Sequence, residues 1–520
     1  MSDHTVTFDQ ILDTTQQSLA HQTTATSRSA QALAADHHFT PIDYFLREDD
    51  DIIAFEIWFT HFSESGSHQH QRLTSWLNVQ IALLDEMLSE QLNHVLHHPK
   101  LQQLESGWRG LWYLIEAVTA DTNIRLKFLD ASWKDVSRDF ERAADFDQSG
   151  LFHLVYNQEF GVAGGLPYSV LLGNYEVAHR PFAGHPYDDI NTLKGLCHVA
   201  AASFAPFICG AAPQLFGIDD FDTLGLPIDL DNVFQQKEYL RWRSLRDMED
   251  SRFLAITLPR VLLREPYTLS FAAYQGVRFK EEVEARTSHK YLWGNACFAL
   301  GAVLIREFAE VGWFSHIRGA PRDFHGGGLV TQFPAMKYKT DSSVSARKMF
   351  TSVLITDGLE RELSEHGFIP LCHCYDTPYA AFNSCRSLQR PKIHQGETAG
   401  ANARISAMMQ HILCASRIAQ YIKVMARDKV GSYASAKDCE RLLQHWLDQY
   451  TTGREDLSWE MMARYPLRQA RVIVEENREK PGSYQSVIHL KCHYTVDHLV
   501  SELKLTTTLD TTGDWWSGSR

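Results

Sequence analysis

The stretch Trp242-Arg243-Ser244-Leu245-Arg246-Asp247-Met248-Glu249-Asp250-Ser251-Arg252 leads directly into the apolar segment Phe253-Leu254-Ala255-Ile256-Thr257-Leu258. Such a short apolar run before Pro259 predicts a buried strand. The charged residues ahead of it include no acid–base pair that the sequence marks as catalytic. Because the planar guanidinium of arginine suits partly buried pairing, we predict a structural ion-pair cluster in front of this strand. Its members are Arg243, Arg246, Glu249, Asp250 and Arg252.

Length and charge limit the possible functions. The chain has 520 residues, 44% of them apolar, and a net charge of −14. One compact core cannot accommodate this length, so two or three lobes are expected. The excess of acidic residues argues against nucleic acid or an anionic membrane as the main partner. Nine scattered cysteines and an N-terminus without a charged-then-apolar signal indicate reduced thiols in a cytoplasmic protein.

One segment, Gly195 to Ile218, contains no Asp, Glu, Lys or Arg over a length that could cross a bilayer. His198, Pro206 and Pro213 interrupt it, and small residues dominate its composition. We therefore expect a buried core helix with a turn near Pro213, and no direct insertion into a membrane.

Periodicity predicts an α+β fold with a mixed α/β body, long helices and a mixed sheet core. Apolar residues recur at steps of three and four over 73–96, until Pro99 stops the pattern, and again over 401–427. A shorter helix is expected at 436–450. Strand-like runs lie at 124–129, 169–172, 253–258 and 353–356.

Changes in composition and apolar pattern along the chain predict three parts. Residues 1–60 form an arm with a short helix, residues 61–430 form a body of two lobes, and residues 431–520 form a C-terminal helix followed by strands. Within the arm, Phe8, Ile11 and Leu12 fall at i, i+3 and i+4. Three apolar residues are too few to fold alone, so this stripe needs either a partner or its own domain as a docking surface.

Alternating residues close the chain. The segments 471–475 and 484–494 flank Pro481-Gly482 as a hairpin, and 499–509 alternates apolar with polar residues. Three strands leave open edges, which a neighbouring copy or the same domain could complete. The residues expected to form strands shared between protomers are Val472, Val474, Val487, Leu490, Leu503, Leu505 and Leu509.

Signals of chemistry are weak. Cys372-His373-Cys374 lacks a second ligand pair at zinc-binding spacing, and its apolar neighbours indicate a strand. Gly326-Gly327-Gly328 matches no phosphate-binding pattern. No cofactor or metal is therefore predicted. The alternative function is a soluble metal- or thiol-dependent enzyme that uses Cys372-His373-Cys374.

A series of longer sequence motifs resembles those of a known protein family. These motifs occur in order along the chain from about 75 to 510. They are similar to motifs of the large subunit of the type VI secretion contractile sheath, the TssC (VipB) family. They include Trp242 to Arg252, Glu105-Ser106-Gly107-Trp108-Arg109-Gly110-Leu111, Phe146-Asp147-Gln148-Ser149, Lys290-Tyr291-Leu292-Trp293-Gly294-Asn295-Ala296, Gly367-Phe368-Ile369-Pro370-Leu371 and Tyr465-Pro466-Leu467-Arg468.

The resemblance implies a structural protein, not an enzyme. It implies a heterodimer with the small sheath subunit (TssB or VipA), stacked with other copies into a helical sheath on a baseplate, around an inner tube of Hcp. Contraction would propel the tube. It further implies that the C-terminal strands join those of neighbouring protomers, and that the ClpV ATPase recognises the N-terminal helix through Phe8, Ile11 and Leu12.

Overall fold

The structure is a computed structural model. It describes residues 41–62, 73–119, 122–162, 164–267, 277–283, 288–321, 325–334, 349–375, 377–392, 397–428, 436–454, 458–476, 484–493 and 502–509. Phe8, Ile11 and Leu12 lie outside these residues. The chain divides into two compact units, one comprising the residues up to Val95 with Tyr267–Glu282, the other comprising Leu96–Pro266 and the residues from Val283 onward.

The first unit is helical where it is described. Helices α1 (Pro41–Arg47) and α2 (Asp51–Phe62) are joined by a contact between the rings of Phe45 and Trp58, whose centroids are 5.2 Å apart. Helix α3 (Leu73–Leu96) matches the predicted helix over 73–96. Proline both ends this pattern and begins the next helix, because Pro99 is the first residue of α4 (Pro99–Ala117) and His98 caps it.

A six-stranded sheet forms the centre of the second unit, in the order β1-β2-β3-β7-β8-β6. Strands β1 (Leu171–Val177), β2 (Phe207–Ala211), β3 (Leu254–Leu258) and β7 (Phe368–His373) are parallel, whereas β8 (Ala380–Phe382) and β6 (Leu329–Val330) pair antiparallel. Strands β4 (Val261–Leu262) and β5 (Trp293–Gly294) form a separate pair. The predicted α+β fold with a mixed sheet is confirmed.

Alternating residues of this sheet enter two apolar cores. Ile208, Ala255 and Ile369 belong to one core, and the neighbouring Cys209 and Ile256 belong to the other. Since both faces are covered by helices, β2 and β3 are buried at every position. Among the described residues, seven α-helices follow α4 in the chain and precede β8. They are α5 (Trp133–Arg142), α6 (Gly150–Phe152, continuing as a π-helix, His153–Phe160), α7 (Asp189–Ser203), α8 (Leu230–Gln235), α9 (Leu240–Asp247), α10 (Cys297–Val311) and α11 (Asp357–Glu365).

Two predicted helices differ in the structure. The uncharged segment from Gly195 to Ile218 is one helix end followed by a central strand, because α7 stops at Ser203 and β2 begins at Phe207. The pattern over 401–427 is divided into α12 (Glu397–Ser406) and α13 (Met409–Asp428). Between them, the backbone of residues 407–409 pairs with that of residues 385–387. This pairing uses main-chain N–H and C=O groups that would form hydrogen bonds within a continuous helix.

A terminal sheet ends the chain. Helix α14 (Ala436–Asp448) matches the helix predicted at 436–450, and α15 (Trp459–Arg464) precedes strand β9 (Leu467–Glu476). Strand β10 (Tyr484–Cys492) pairs antiparallel with β9 and with β11 (Glu502–Leu509), which gives the order β11-β10-β9. The three strands are thus present within one chain. Of the other predicted strands, 124–129 is extended but belongs to no sheet, and 353–356 is a loop that carries buried Val353 and Ile355.

Candidate assembly surfaces

Helix α3 presents large apolar side chains to solvent. The exposed fractions of these side chains range from 37% at Leu84 to 60% at Met87. Polar residues occupy less exposed positions on the same helix: Gln80, Asp85 and Asn93 are half-buried. The exposed apolar residues are Val79, Ile81, Leu83, Leu84, Met87, Leu88, Leu92 and Val95. Exposed apolar side chains in this number favour an interaction site.

Within its own unit, α3 is held by a polar contact. The backbone N–H of Glu282 donates to Oδ1 of Asn93 at 3.0 Å. This hydrogen bond places Asn93 against the described residues 277–282 of the same unit.

A second apolar surface, which we name the α4 face, comprises Leu104, Trp108, Trp112 and Ile115. These residues are 47–61% exposed and recur at spacings of four, four and three, which places them on one side of the helix. The opposite side of α4 is buried through Gly110 and Leu114, and a Cβ at Gly110 would lie 2.3 Å from the ring of Phe298. The α4 face was not predicted from the sequence, although Trp108 lies within one of the motifs that resemble the family.

The terminal sheet buries one face. Val472, Val474 and Leu490 pack with α13 and α14 in a third apolar core, whereas Val487 is half-buried, one residue out of phase with Ile488 and Leu490. In register, Leu503 pairs with Leu490, Leu505 with Ile488 and Leu509 with Tyr484. The apolar side chains of β9 and β10 therefore stabilise the chain's own core, and any linkage to a neighbour must use the main chain at a sheet edge.

The two edges of the terminal sheet are not equivalent. Side chains of α14 bind the outer edge of β9: Oε1 of Gln444 accepts from the N–H of Val472, and Oε2 of Glu440 accepts from the N–H of Val474, both at 3.0 Å. The amide of Gln444 also donates to the carbonyl of Ala470 at 3.0 Å. On β11, by contrast, no described strand lies beyond the ladder with β10. The main chain of β11 is thus the available edge.

The charged residues around Trp242 reach outward instead of pairing with one another. The guanidinium of buried Arg246 donates to the carbonyls of Leu388 at 3.2 Å and Glu365 at 3.1 Å. Burial lowers the pKa of Arg246 to about 10, which still leaves it charged. Arg246 therefore joins three segments of the body through carbonyl dipoles.

The other members of the predicted cluster also contact distant groups. Arg243 donates to the carbonyl of Phe234, and Asp250 accepts from His198 at 3.0 Å. Glu249 pairs with Lys392 at 2.8 Å. Arg252 is the exception, because it donates to the carbonyl of Glu249 within the cluster. The residues of this cluster therefore contact several different segments of the body, because the short helices here turn successive side chains toward different neighbours.

An ion pair that sequence reasoning missed joins two strand ends. Arg260, just after β3, donates two hydrogen bonds to Glu176 of β1, at 2.7 and 2.6 Å. The paired carboxylate raises the pKa of Arg260 even though burial alone would lower it. Such bidentate pairs fix geometry as well as charge. An arginine directly after a buried strand is the sequence signal that could have identified it.

The region Cys372-His373-Cys374 lies at the end of β7. Burial raises the pKa of Cys372 to about 12 and also raises that of Cys374, so both thiols are protonated at neutral pH. Within the part of the chain that the structure describes, no group of three or more His, Cys, Asp or Glu residues could hold a metal ion. Over the same residues, no helix combines the length and apolarity needed to span a bilayer.

Comparison with known proteins gives consistent matches. Residues 78–389 match the VipB family, described as EvpB/VC_A0108, tail sheath N-terminal domain, and residues 398–509 match its tail sheath gpW/gp25-like domain. The type VI secretion system sheath protein TssC1 of Pseudomonas aeruginosa is 36% identical over 432 residues, which are 82% of this chain and 85% of that protein.

A chain of the anti-feeding prophage baseplate, determined by cryo-EM, matches 74% of this chain and 84% of its own length at 11% identity, with a TM-score of 0.34. That value is too low to support an argument about function. The two domain matches together cover most of the chain, and the match to TssC1 covers 82% of it. The chain therefore belongs to the VipB/TssC family and is a structural large subunit of the type VI secretion contractile sheath.

Proposed function

We propose that this chain binds the small sheath subunit (TssB or VipA) through the apolar surface of α3, and that the heterodimers stack helically around an Hcp tube. The observation that carries the proposal is the set of eight large apolar side chains exposed on α3. Membership of a sheath family supports it, since head-to-tail contacts that do not close generate filaments.

The energetics of α3 favour a partner. Full burial of one large aliphatic side chain contributes about 1.5–3 kcal/mol. Since these side chains are about half exposed, covering all eight would contribute on the order of 6–12 kcal/mol. Association costs about 4–15 kcal/mol in lost translation and rotation. Burial of these side chains is thus comparable to the cost of association, and the rest of the interface must supply the net affinity.

The terminal sheet is proposed to link protomers. Because α14 closes the outer edge of β9, a strand from a neighbour would add beside β11, through main-chain hydrogen bonds of about 0.5–1.5 kcal/mol each. Such a linkage tolerates rotation of the rigid bodies that it joins. Contraction would then draw its energy from improved packing and not from hydrolysis by this chain.

The remaining partners follow from the family. The sheath would start on the baseplate, its contraction would propel the Hcp tube, and ClpV would recognise the N-terminal helix with Phe8, Ile11 and Leu12 after contraction. Sheath, tube and ATPase would meet in the cytoplasm.

Replacement of Met87, 60% exposed on α3, tests the proposed binding surface. We expect Met87→Glu to abolish co-purification of the co-expressed small subunit, because a carboxylate would be desolvated in the interface. The matched control is Glu86→Gln, a neighbouring exposed position whose change should leave binding intact. Undiminished binding by Met87→Glu would assign the α3 surface to another partner.

Deletion of residues 499–509 tests the linkage. This removes β11. We expect the heterodimer to remain and the tubules seen by electron microscopy to disappear. Normal tubules from the truncated chain would contradict strand linkage at this edge.

A further inference from the structure

Residues 123–131, between α4 and α5, form an extended segment with the sequence Asn-Ile-Arg-Leu-Lys-Phe-Leu-Asp-Ala. One main-chain hydrogen bond is recorded for it within the described part of the chain: the carbonyl of Ala131 accepts from the hydroxyl of Tyr175 at 2.6 Å. From Asn123 to Asp130 the main-chain N–H and C=O groups make no hydrogen bond with the described residues.

Side chains hold this segment in place. Ile124 packs against the first apolar core of the central sheet. Lys127 forms an ion pair with Glu159 and lies 5.4 Å from the centre of the Tyr168 ring. The ring of Phe128 lies 6.0 Å from that of Trp108. The extended shape therefore exists without the sheet ladder that normally produces it.

The segment also exposes apolar surface. Leu126, Phe128 and Leu129 are 41%, 64% and 53% exposed, next to the α4 face with Trp108. An extended segment with free main-chain groups, flanked by exposed tryptophans, has the properties of an edge strand awaiting a partner.

We propose that residues 123–131 receive a β-strand from the small sheath subunit, whose apolar side chains pack on the α4 face. This rests on the proposed heterodimer and adds a second contact, made through the main chain. Such pairing, known as β-augmentation, takes its affinity from backbone bonds and its specificity from alternate side chains.

Charge disfavours the two self-pairings that are centred on Leu126 and on Lys127. Antiparallel self-pairing centred on Leu126 would place Arg125 opposite Lys127, and pairing centred on Lys127 would place two lysines opposite each other. Like charges opposite each other destabilise a strand pair. Exposed Arg125 makes no ion pair with the described residues, so the incoming strand should carry an acidic residue opposite it.

A proline scan over positions 125 to 129 tests the proposal, with the small sheath subunit as the probe. Proline removes one N–H, and successive N–H groups of a strand point to opposite edges. Since these N–H groups make no recorded bond within the chain, the variants should fold normally. We expect affinity to fall about tenfold at alternate positions and to change little at the positions between.

Alanine variants at the same five positions control for loss of the side chain. A photoreactive benzoylphenylalanine at Leu129 should cross-link to a strand of the small subunit, whereas the same residue at Leu240, 64% exposed on α9, should not. Equal tolerance of proline at all five positions, or cross-links confined to this chain, would overturn the strand pairing. If the wild-type chain failed to bind the small subunit at all, the heterodimer itself would be refuted.

Discussion

The central and terminal sheets solve the problem of exposed edges and faces in different ways. In the central sheet, β2 and β3 are buried at every position between two apolar cores. In the terminal sheet, one face packs on α13 and α14, and Gln444 and Glu440 close one edge. The central sheet is thus covered on both faces, whereas in the terminal sheet no described strand lies beyond β11. A sheath protein needs both a rigid body and a connecting element.

The largest expected effect comes from the core beside the central sheet. Trp242 is fully buried and its ring stacks near Phe368 of β7, with centroids 6.4 Å apart. We expect Trp242→Ala to lower the free energy of unfolding by about 3–5 kcal/mol, because a large cavity remains. Chemical denaturation measures this. A loss below about 1 kcal/mol would mean that the core collapses around the gap.

The same kind of truncation in the terminal sheet should act locally. Leu490 of β10 is fully buried in the third core, and we expect Leu490→Ala to cost about 2–5 kcal/mol. Hydrogen exchange should accelerate in β9 and β10 while the amides of β2 and β3 remain protected. Equal acceleration in both sheets would show that they unfold as one unit and would remove the distinction between them.

The sequence revealed these two regions to different degrees. The hairpin pattern around Pro481-Gly482 predicted β10 well, and alternation over 499–509 predicted β11, because a sheet covered on one face alternates apolar and polar residues. A segment buried on both sides shows no such alternation, so the uncharged stretch from Gly195 looked like one helix although it contains β2. The break between α12 and α13 depends on pairing with residues 385–387, which local periodicity cannot show.

The candidate site was predicted less well. The periodicity of 73–96 predicted an amphipathic helix, but exposure of eight of its apolar residues depends on the tertiary structure. Likewise, the sequence indicated a charged cluster near Trp242, but the carbonyl partners of Arg246 lie more than 100 residues away. Residues 124–129 have a strand's sequence, and only the fold shows that their own chain supplies no partner strand.

A carboxyl group buried beside the central sheet should make the stability of the protein depend on pH. Glu307 of α10 is fully buried, and burial raises its pKa to about 7 from the ordinary value of 4.5. The folded state therefore keeps a proton that the unfolded state releases between pH 4.5 and 7. The contribution of Glu307 to stability therefore falls as pH rises through this range, by about 3 kcal/mol in total.

Glu307→Gln removes this loss. Oε1 of Glu307 accepts from the N–H of His316 at 2.9 Å, a bond that glutamine can retain. His316, whose pKa burial lowers to about 4, contributes the opposite trend in both proteins, and Arg306 and Glu310 remain nearby. We expect the variant to be more stable by about 3 kcal/mol at pH 8 and equal near pH 4.5, as measured by urea unfolding.

The control for this comparison is Glu310→Gln, an exposed position on the same helix. It should change stability by less than about 0.5 kcal/mol at either pH. A pH-independent difference between wild type and Glu307→Gln would show that Glu307 is ionised in the folded chain.

The smallest expected effect tests how the terminal sheet closes its β9 edge. Gln444→Leu keeps the approximate side-chain size but leaves the N–H of Val472 and the carbonyl of Ala470 without their partner, which should cost about 1–3 kcal/mol. Gln449→Leu, exposed just after α14, is the matched control and should be nearly neutral. Because the edge would then accept strands, sedimentation should also detect oligomers of the Gln444 variant. If it stays monomeric and fully stable, α14 is not what distinguishes the two edges, and the assignment of β11 as the linking edge loses its physical basis.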